Sequence, residues 1–280
     1  MDQGMGGFLR IVDQGIAVLP PFDRQAGAEA YAAFNPDLVI LKSGLRSGVG
    51  GRLEALGIRT EYVSLESPVE WYADLAALGR VFGAEERAGQ LIAYYQDTVK
   101  RVAQAADKAV AARKGVKPRV LLMQATGDGF EVPPDAWMQS LLVGMAGGEP
   151  VWKGSSPGSG WTKIGTEQIA AWDPEVLIVV SYTQSAPALA KKLAMDPRFS
   201  SLKAARTWRL IGFARDFVSW DQPDTRWALG LMWMLDAIHP GALPGYSATA
   251  EARRFFALFY GVGEAAFDAG ILPRLEGTGN

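Results

Sequence analysis

Apolar positions along the chain alternate between short continuous runs and longer stretches spaced by threes and fours. Leu38–Leu41 (LVIL) is a continuous run bounded by Pro36 and Gly44, the pattern of a strand covered on both faces. Arg119–Gln124 (RVLLMQ) and Val176–Val180 (VLIVV) repeat it. Ile16–Val18, Arg59–Val63 and Trp208–Phe213 give weaker versions. Helices are predicted near Ala26–Phe34, over Gly51–Leu56 and from about Pro68, where proline suits a first helical turn. The longest periodic stretch runs from Ala84 to about Ala112. Ala88, Leu91, Ile92, Tyr95, Val99, Val102, Ala106 and Val110 share one stripe of it, and Asp97 and Arg101 stand one turn apart as an expected ion pair. Trp227, Leu231, Met234, Leu235 and Ile238 make a further stripe, and Phe255, Phe256, Leu258 and Phe259 crowd a last helix. Strands alternating with helices predict an α/β chain with mostly parallel sheets.

One segment occurs twice. Glu29–Ile40 reads EAYAAFNPDLVI and Glu167–Ile178 reads EQIAAWDPEVLI, at a constant offset of 138 residues from Glu29 to Glu167 and from Ile40 to Ile178. In each copy a helix containing Ala-Ala-aromatic must stop before proline, because the preceding residue is pushed out of right-handed helical space. An apolar strand follows. The repeat predicts two similar lobes, and clefts between lobes are where small molecules bind.

Composition narrows the chemistry. The 280 residues are 49% apolar and 21% charged, with a net charge of −2, enough for one large domain or two lobes that each bury a core. That charge gives no reason to expect nucleic acid or an anionic membrane as partner, and the densest basic group (Lys191, Lys192, Arg198) is interrupted along the chain. No cysteine is present, which excludes disulfides, thiolate metal sites and cysteine nucleophiles. The sole histidine, His239, precedes Pro240 at a helix end, where the dipole accounts for it. Capture of a bare transition metal would need a His and carboxylate cluster, so no resident metal or cofactor is expected. Gly48-Val49-Gly50-Gly51 fails the dinucleotide pattern because Leu53 stands where the third glycine belongs. No catalytic residue stands out either, His239 being poorly placed for a triad. An α/β enzyme of unknown reaction and a degenerate, non-binding scaffold remain the alternatives to a binding protein.

The order of these segments resembles the class III periplasmic substrate-binding proteins, which are the iron-siderophore, haem and vitamin B12 binding components of ABC importers. The resemblance is carried by Asn35–Ile40, by Asp173–Ile178, by the run from Leu78-Gly79 through Gly83 to Ala88, and by Phe255–Gly261 (FFALFYG). It covers nearly the whole chain. It implies an α/β fold of two lobes with mostly parallel sheets joined by one long helix: an N-terminal lobe over 1–83, an interlobe helix over 84–113 and a C-terminal lobe over 114–280. Only 28 residues precede Glu29, so the N-terminal lobe is expected to lack its first strand–helix unit. The resemblance also implies a periplasmic or extracytoplasmic location, although Met1–Phe8 has no signal-peptide character. It implies a monomer that holds an iron-siderophore or similar metal chelate between its lobes and delivers it to ABC permease subunits. Glu29 and Glu167 would be the acids, one per lobe, that dock onto the permease; a carboxylate at a helix start is equally what the dipole favours.

Ligands in open α/β sheets sit beyond the carboxyl ends of the strands. That rule nominates Lys42, Arg46, Trp137, Tyr182, Arg215 and Trp220. Arg46 and Arg215 suit an anionic chelate through their planar forks, and Trp137, Tyr182 and Trp220 would form flat walls. Were the ligand haem, Tyr182 would be a candidate axial ligand.

Overall fold

A computed structural model describes residues 5–13, 15, 16, 19, 23 and 26–279. In chain order the elements begin with α1 (Met5–Val12), α2 (Ala28–Ala32), β1 (Val39–Lys42), α3 (Gly51–Ala55), β2 (Thr60–Val63), α4 (Pro68–Phe82) and α5 (Glu85–Ala112). They continue with β3 (Arg119–Thr126), β4 (Gly129–Val132), α6 (Met138–Met145), β5 (Glu149–Pro150), β6 (Thr162–Ile164), α7 (Thr166–Trp172) and β7 (Val176–Val180). The remainder comprises α8 (Ala186–Ala194), α9 (Pro197–Ser200), α10 (Lys203–Arg206), β8 (Leu210–Gly212), α11 (Trp227–Ile238), α12 (Ala248–Tyr260) and α13 (Glu264–Gly270). Two compact units result: Gln14–Ile92, and Ala93–Asn280 together with Met1–Asp13. Helix α5 runs from the first into the second. Of the strand expected at Ile16–Val18, Ala17 and Val18 lie outside the described residues.

In the N-terminal unit β1 and β2 pair in parallel, from Val39 opposite Thr60 to Lys42 opposite Val63. Ala28, Val39, Leu41 and Leu53 form its core, with Tyr31, Val49, Ile58 and Tyr62 packed against them. Burial along β1 alternates, so Ile40 is exposed. The continuous apolar run therefore makes a strand covered on one face, not on both. Ser67 caps α4 by accepting from the Glu70 amide, with Pro68 in the first turn. The helix ends at Gly83, whose φ of 62° is left-handed, the conformation glycine adopts without strain. Gly79 marks a close approach: a Cβ there would lie 2.6 Å from the Ala88 Cβ on α5. The glycines of the Leu78–Ala88 motif thus set the α4–α5 corner.

The stripe predicted for α5 is buried at Ala88, Tyr95, Val102 and Ala106. Arg101 does not pair with Asp97. Its guanidinium reaches Glu251 of α12 at 3.4 Å, because a partner offered by another helix can hold the arginine as well as a neighbour one turn away.

The C-terminal unit is built on a six-stranded sheet of order β6-β4-β3-β7-β8, with β5 pairing the start of β3. Strands β3, β7 and β8 are mutually parallel, and every residue of β7 is buried. Strands β4 and β6 run antiparallel on one side, an addition to the parallel core. Strand β8 is shorter than predicted: Trp208 adopts φ 58° in the preceding turn and is 90% exposed. Trp227 lies fully buried on α11, stacked on Tyr95 at 4.9 Å. Helix α1 also packs here, with Phe8 edge-on to Tyr260 at 4.7 Å and beneath the Arg226 guanidinium at 4.3 Å. The expected division at residue 83 placed these first residues with the N-terminal lobe; their aromatic contacts put them in the other unit.

The internal repeat is conformational as well as sequential. Asn35 and Asp173 both leave the right-handed helix, as the following proline demands, and enter the left-handed region at φ 46° and 36°. Asn and Asp tolerate that region because their short polar side chains can bond locally.

Candidate ligand-binding surfaces

At the carboxyl ends of the C-terminal sheet three half-buried rings meet. Trp137 precedes α6, Trp161 precedes β6, and Tyr182 follows β7. Trp161 stands edge-on to Trp137 and to Tyr182, with ring centroids 6.1 Å apart in each case. The Tyr182 hydroxyl donates to Asp221 Oδ2 at 2.7 Å and accepts from Gln139 Nε2 at 3.3 Å. Ser219 donates to the other Asp221 oxygen. Burial, followed by the charge of Asp221 and the hydrogen bond to it, raises the Tyr182 pKa well above its ordinary value. Burial likewise pushes the Asp221 carboxyl up, against the hydrogen bonds it accepts. The Tyr182 hydroxyl is thus engaged on both sides by Asp221 and Gln139.

Two nominated residues do different work. Trp220 is fully buried and donates its indole N–H to Asp216 at 3.0 Å, so its ring belongs to the interior and is not a wall. Eight residues beyond β8 the chain passes close over α11, and there is no room for a Cβ at Gly230 because the Trp220 carbonyl would lie 2.2 Å away. Arg215 is half-buried and donates to the carbonyls of Gln184, Asp216 and Phe217 at 2.9, 3.3 and 3.4 Å. It organises the loop after β8, and among the described residues it pairs with no carboxylate. Position after a strand does not nominate Trp161, which precedes β6. The available signal was a lone tryptophan ending a Gly-Ser-Pro-rich stretch, Gly154–Gly160.

In the N-terminal unit the carboxyl ends of β1 and β2 carry paired charges. Lys42 contacts Glu66 at 2.7 Å and the Ser64 carbonyl. Arg46 lies 3.7 Å above the Tyr62 ring and 3.8 Å from Glu54, which also accepts from the Tyr62 hydroxyl at 2.9 Å. Both cations are exposed, so these pairs are weak enough for an anionic ligand to displace. The loop after β2 is held from beneath: Asp74 accepts from the Ser64 and Leu65 amides at 2.7 and 2.8 Å, and Glu70 accepts from the hydroxyls of Ser67 and Ser64 at 2.8 Å each. Those hydroxyls, Ser67 first, hold the Glu70 carboxyl below its ordinary pKa.

These surfaces sit on a recognisable scaffold. The sequence model of the periplasmic binding protein family matches residues 21–215, most of the chain. The chain belongs to that family. Among solved structures, a periplasmic solute-binding protein from Veillonella parvula superposes with a TM-score of 0.75 at 22% identity, covering 94% of this chain and 80% of that one. The molybdate periplasmic binding protein of Haemophilus influenzae, solved with molybdate, gives 0.73 at 15% identity, covering 93% and 83%. A periplasmic haem-binding protein from Pseudomonas aeruginosa gives 0.62 at 24% identity, covering 84% of each chain. No curated protein sequence matches at a significant level. These likenesses establish a shared fold whose members carry ligands as different as molybdate and haem, so the ligand must be argued from side chains.

In this periplasmic binding protein Glu29 and Glu167 are both exposed, at the second residue of α2 and α7. Each helix is preceded by an extended glycine, Gly27 or Gly165, and a Cβ on either would lie 2.9 Å from the glutamate Oε2. Both carboxylates therefore fold back over their helix starts, where the dipole favours them. The two copies share one geometry.

Proposed function

We propose that this periplasmic binding protein is the substrate-binding component of an ABC importer, and that it captures an iron-siderophore or a similarly bulky metal chelate. The observation that carries this reading is the Trp137–Trp161–Tyr182 group at the strand ends. Three half-exposed rings in edge-to-face contact offer a broad, rigid, neutral surface, suited to the ring faces of a chelate and poorly suited to a small hydrated ion. Lys42 and Arg46 supply the anion contacts, and Arg215 supports the loop beside the rings. With one histidine and no cysteine in the sequence, the protein supplies few soft ligands, so the metal arrives already chelated. Glu29 and Glu167 serve as the permease contacts, their common geometry matching a partner made of two similar subunits.

The test is titration of the purified protein with a ferric siderophore, haem and cobalamin, read by quenching of tryptophan fluorescence. Saturable quenching by one of them, without consumption of ligand, is expected. Trp161→Ala should then weaken binding roughly tenfold, the loss typical of a central aromatic contact. No quenching by any of the three would refute the chelate reading, and molybdate serves as the small-oxyanion comparison. Turnover of a ligand would favour the enzyme alternative.

A further inference from the structure

Three turns of the C-terminal unit meet at the amino ends of its parallel strands, opposite the end that carries the aromatic rings. The first joins α5 to β3 and exposes Arg113, Lys114, Lys117 and Arg119, together with Val116. The second joins α7 to β7 and contains Asp173 and Glu175. The third joins α10 to β8: Lys203 and Arg206 lie at the two ends of α10, and Arg209 follows Trp208 in the turn, its guanidinium donating to the Ala237 and Ile238 carbonyls. Glu175 ties the three together: it contacts Arg113 at 3.1 Å and Lys203 at 3.3 Å, and accepts from the Arg119 amide at 3.2 Å. Lys203 in turn donates its amide to Asp173 at 2.8 Å.

Seven basic side chains thus stand among three acids on one face of a chain whose net charge is −2, the third being exposed Glu149 of β5, opposite Arg119. Lys114, Lys117 and Arg206 form no ion pair among the described residues. From their midst Trp208 projects, 90% exposed, on a turn in the left-handed conformation at φ 58°. A β-branched or aromatic residue with positive φ is costly, and a tryptophan is the least expected side chain to leave in water without use.

We propose that this face is a second interaction surface, by which the protein attaches reversibly to an anionic phospholipid bilayer. Indole rings favour the headgroup region, and clustered Lys and Arg are drawn to anionic lipid. A protruding ring ringed by cations fits a soft, laterally uniform anionic surface; an acidic protein would need to present a pocket matched to that single ring. Because the patch lies at the amino ends of the strands, attachment leaves the carboxyl ends free to hold ligand.

The experiment is vesicle co-sedimentation of the full chain with phosphatidylcholine vesicles, with and without phosphatidylglycerol, at low and high salt. Binding to the anionic vesicles alone, weakened by salt, is expected. Combined Lys114→Ala, Lys117→Ala and Arg206→Ala should lower the partition coefficient by about a hundredfold, near fivefold per cation. Trp208→Ala should weaken binding and abolish the extra quenching that brominated lipid produces in the parent. All four positions are exposed, so chelate binding by the same variants should be unchanged and reports that they remain folded. Equal binding to neutral vesicles, an unaltered triple variant, or tighter binding of soluble polyglutamate than of vesicles would overturn the proposal.

Discussion

Asp216→Ala should destabilise the C-terminal unit more than other changes of similar size. Asp216 is buried after β8 and accepts four hydrogen bonds: from Arg226 Nε at 2.8 Å, Trp220 Nε1 at 3.0 Å, and the Phe217 and Val218 amides at 2.5 and 3.3 Å. The Arg226 and Asp216 side chains are fully buried, and Arg226 keeps a second contact with Asp224 at 2.8 Å. Removing Asp216 leaves the guanidinium with one carboxylate and orphans a buried indole N–H. Breaking a buried pair costs about 3–5 kcal/mol, and an orphaned donor about 1–3 kcal/mol. These losses share one network and do not add; because Asp224 remains, a total of about 4 kcal/mol is expected. For a unit of this size that lowers its Tm by roughly 10 °C. Calorimetry and urea unfolding followed by tryptophan emission measure it. The double variant Asp216→Leu, Arg226→Met is the control: it removes the buried guanidinium as well, so it should recover part of the loss, the remainder being the orphaned Trp220 indole N–H and Asp224 without its Arg226 contact. A single variant within about 1 kcal/mol of the parent, or a double variant no better than the single, would refute the reasoning.

Gly79→Ala should destabilise the N-terminal unit by about 1–2 kcal/mol in urea unfolding, because overpacking against Ala88 outweighs the helix preference for alanine; a stabilised variant would show that the α4–α5 corner yields. Burial pushes the Glu175 carboxyl up, but hydrogen bonds from the Arg119 amide, Arg113 and Lys203 outweigh it and hold its pKa below the ordinary 4.5. Its contribution is therefore present above that ordinary value and lost as pH falls through the lowered one. Glu175→Gln should lower the urea midpoint at neutral pH and flatten its fall in acid; parallel curves for the two proteins would contradict the assignment. Charge reversal at Glu29 and Glu167 together should abolish ligand uptake by cells while leaving fluorescence-measured affinity within about twofold, as surface changes usually do. A fall in affinity would place these residues at the ligand instead of the permease.

The elements and the family were legible along the chain because they rest on local rules. Helical spacing, the steric stop before Pro36 and Pro174, and the glycines at 79 and 83 act within a turn or two, so LVIL, VLIVV and the α5 stripe could be placed directly, as could the repeat from Glu29 and Glu167. Aromatic residues were harder. Trp137 and Trp220 both follow strands and look alike in sequence, yet one is half-exposed beside Trp161 and the other is sealed over Asp216, since burial depends on what distant segments lay on top. For the same reason Arg101 found Glu251, α1 joined the C-terminal unit through Phe8, and basic residues from positions 113 to 209 gathered around Trp208. Local sterics decide which way the backbone goes and which face is apolar. Which charges and rings end up side by side is decided by packing between segments far apart in the chain, which spacing does not encode.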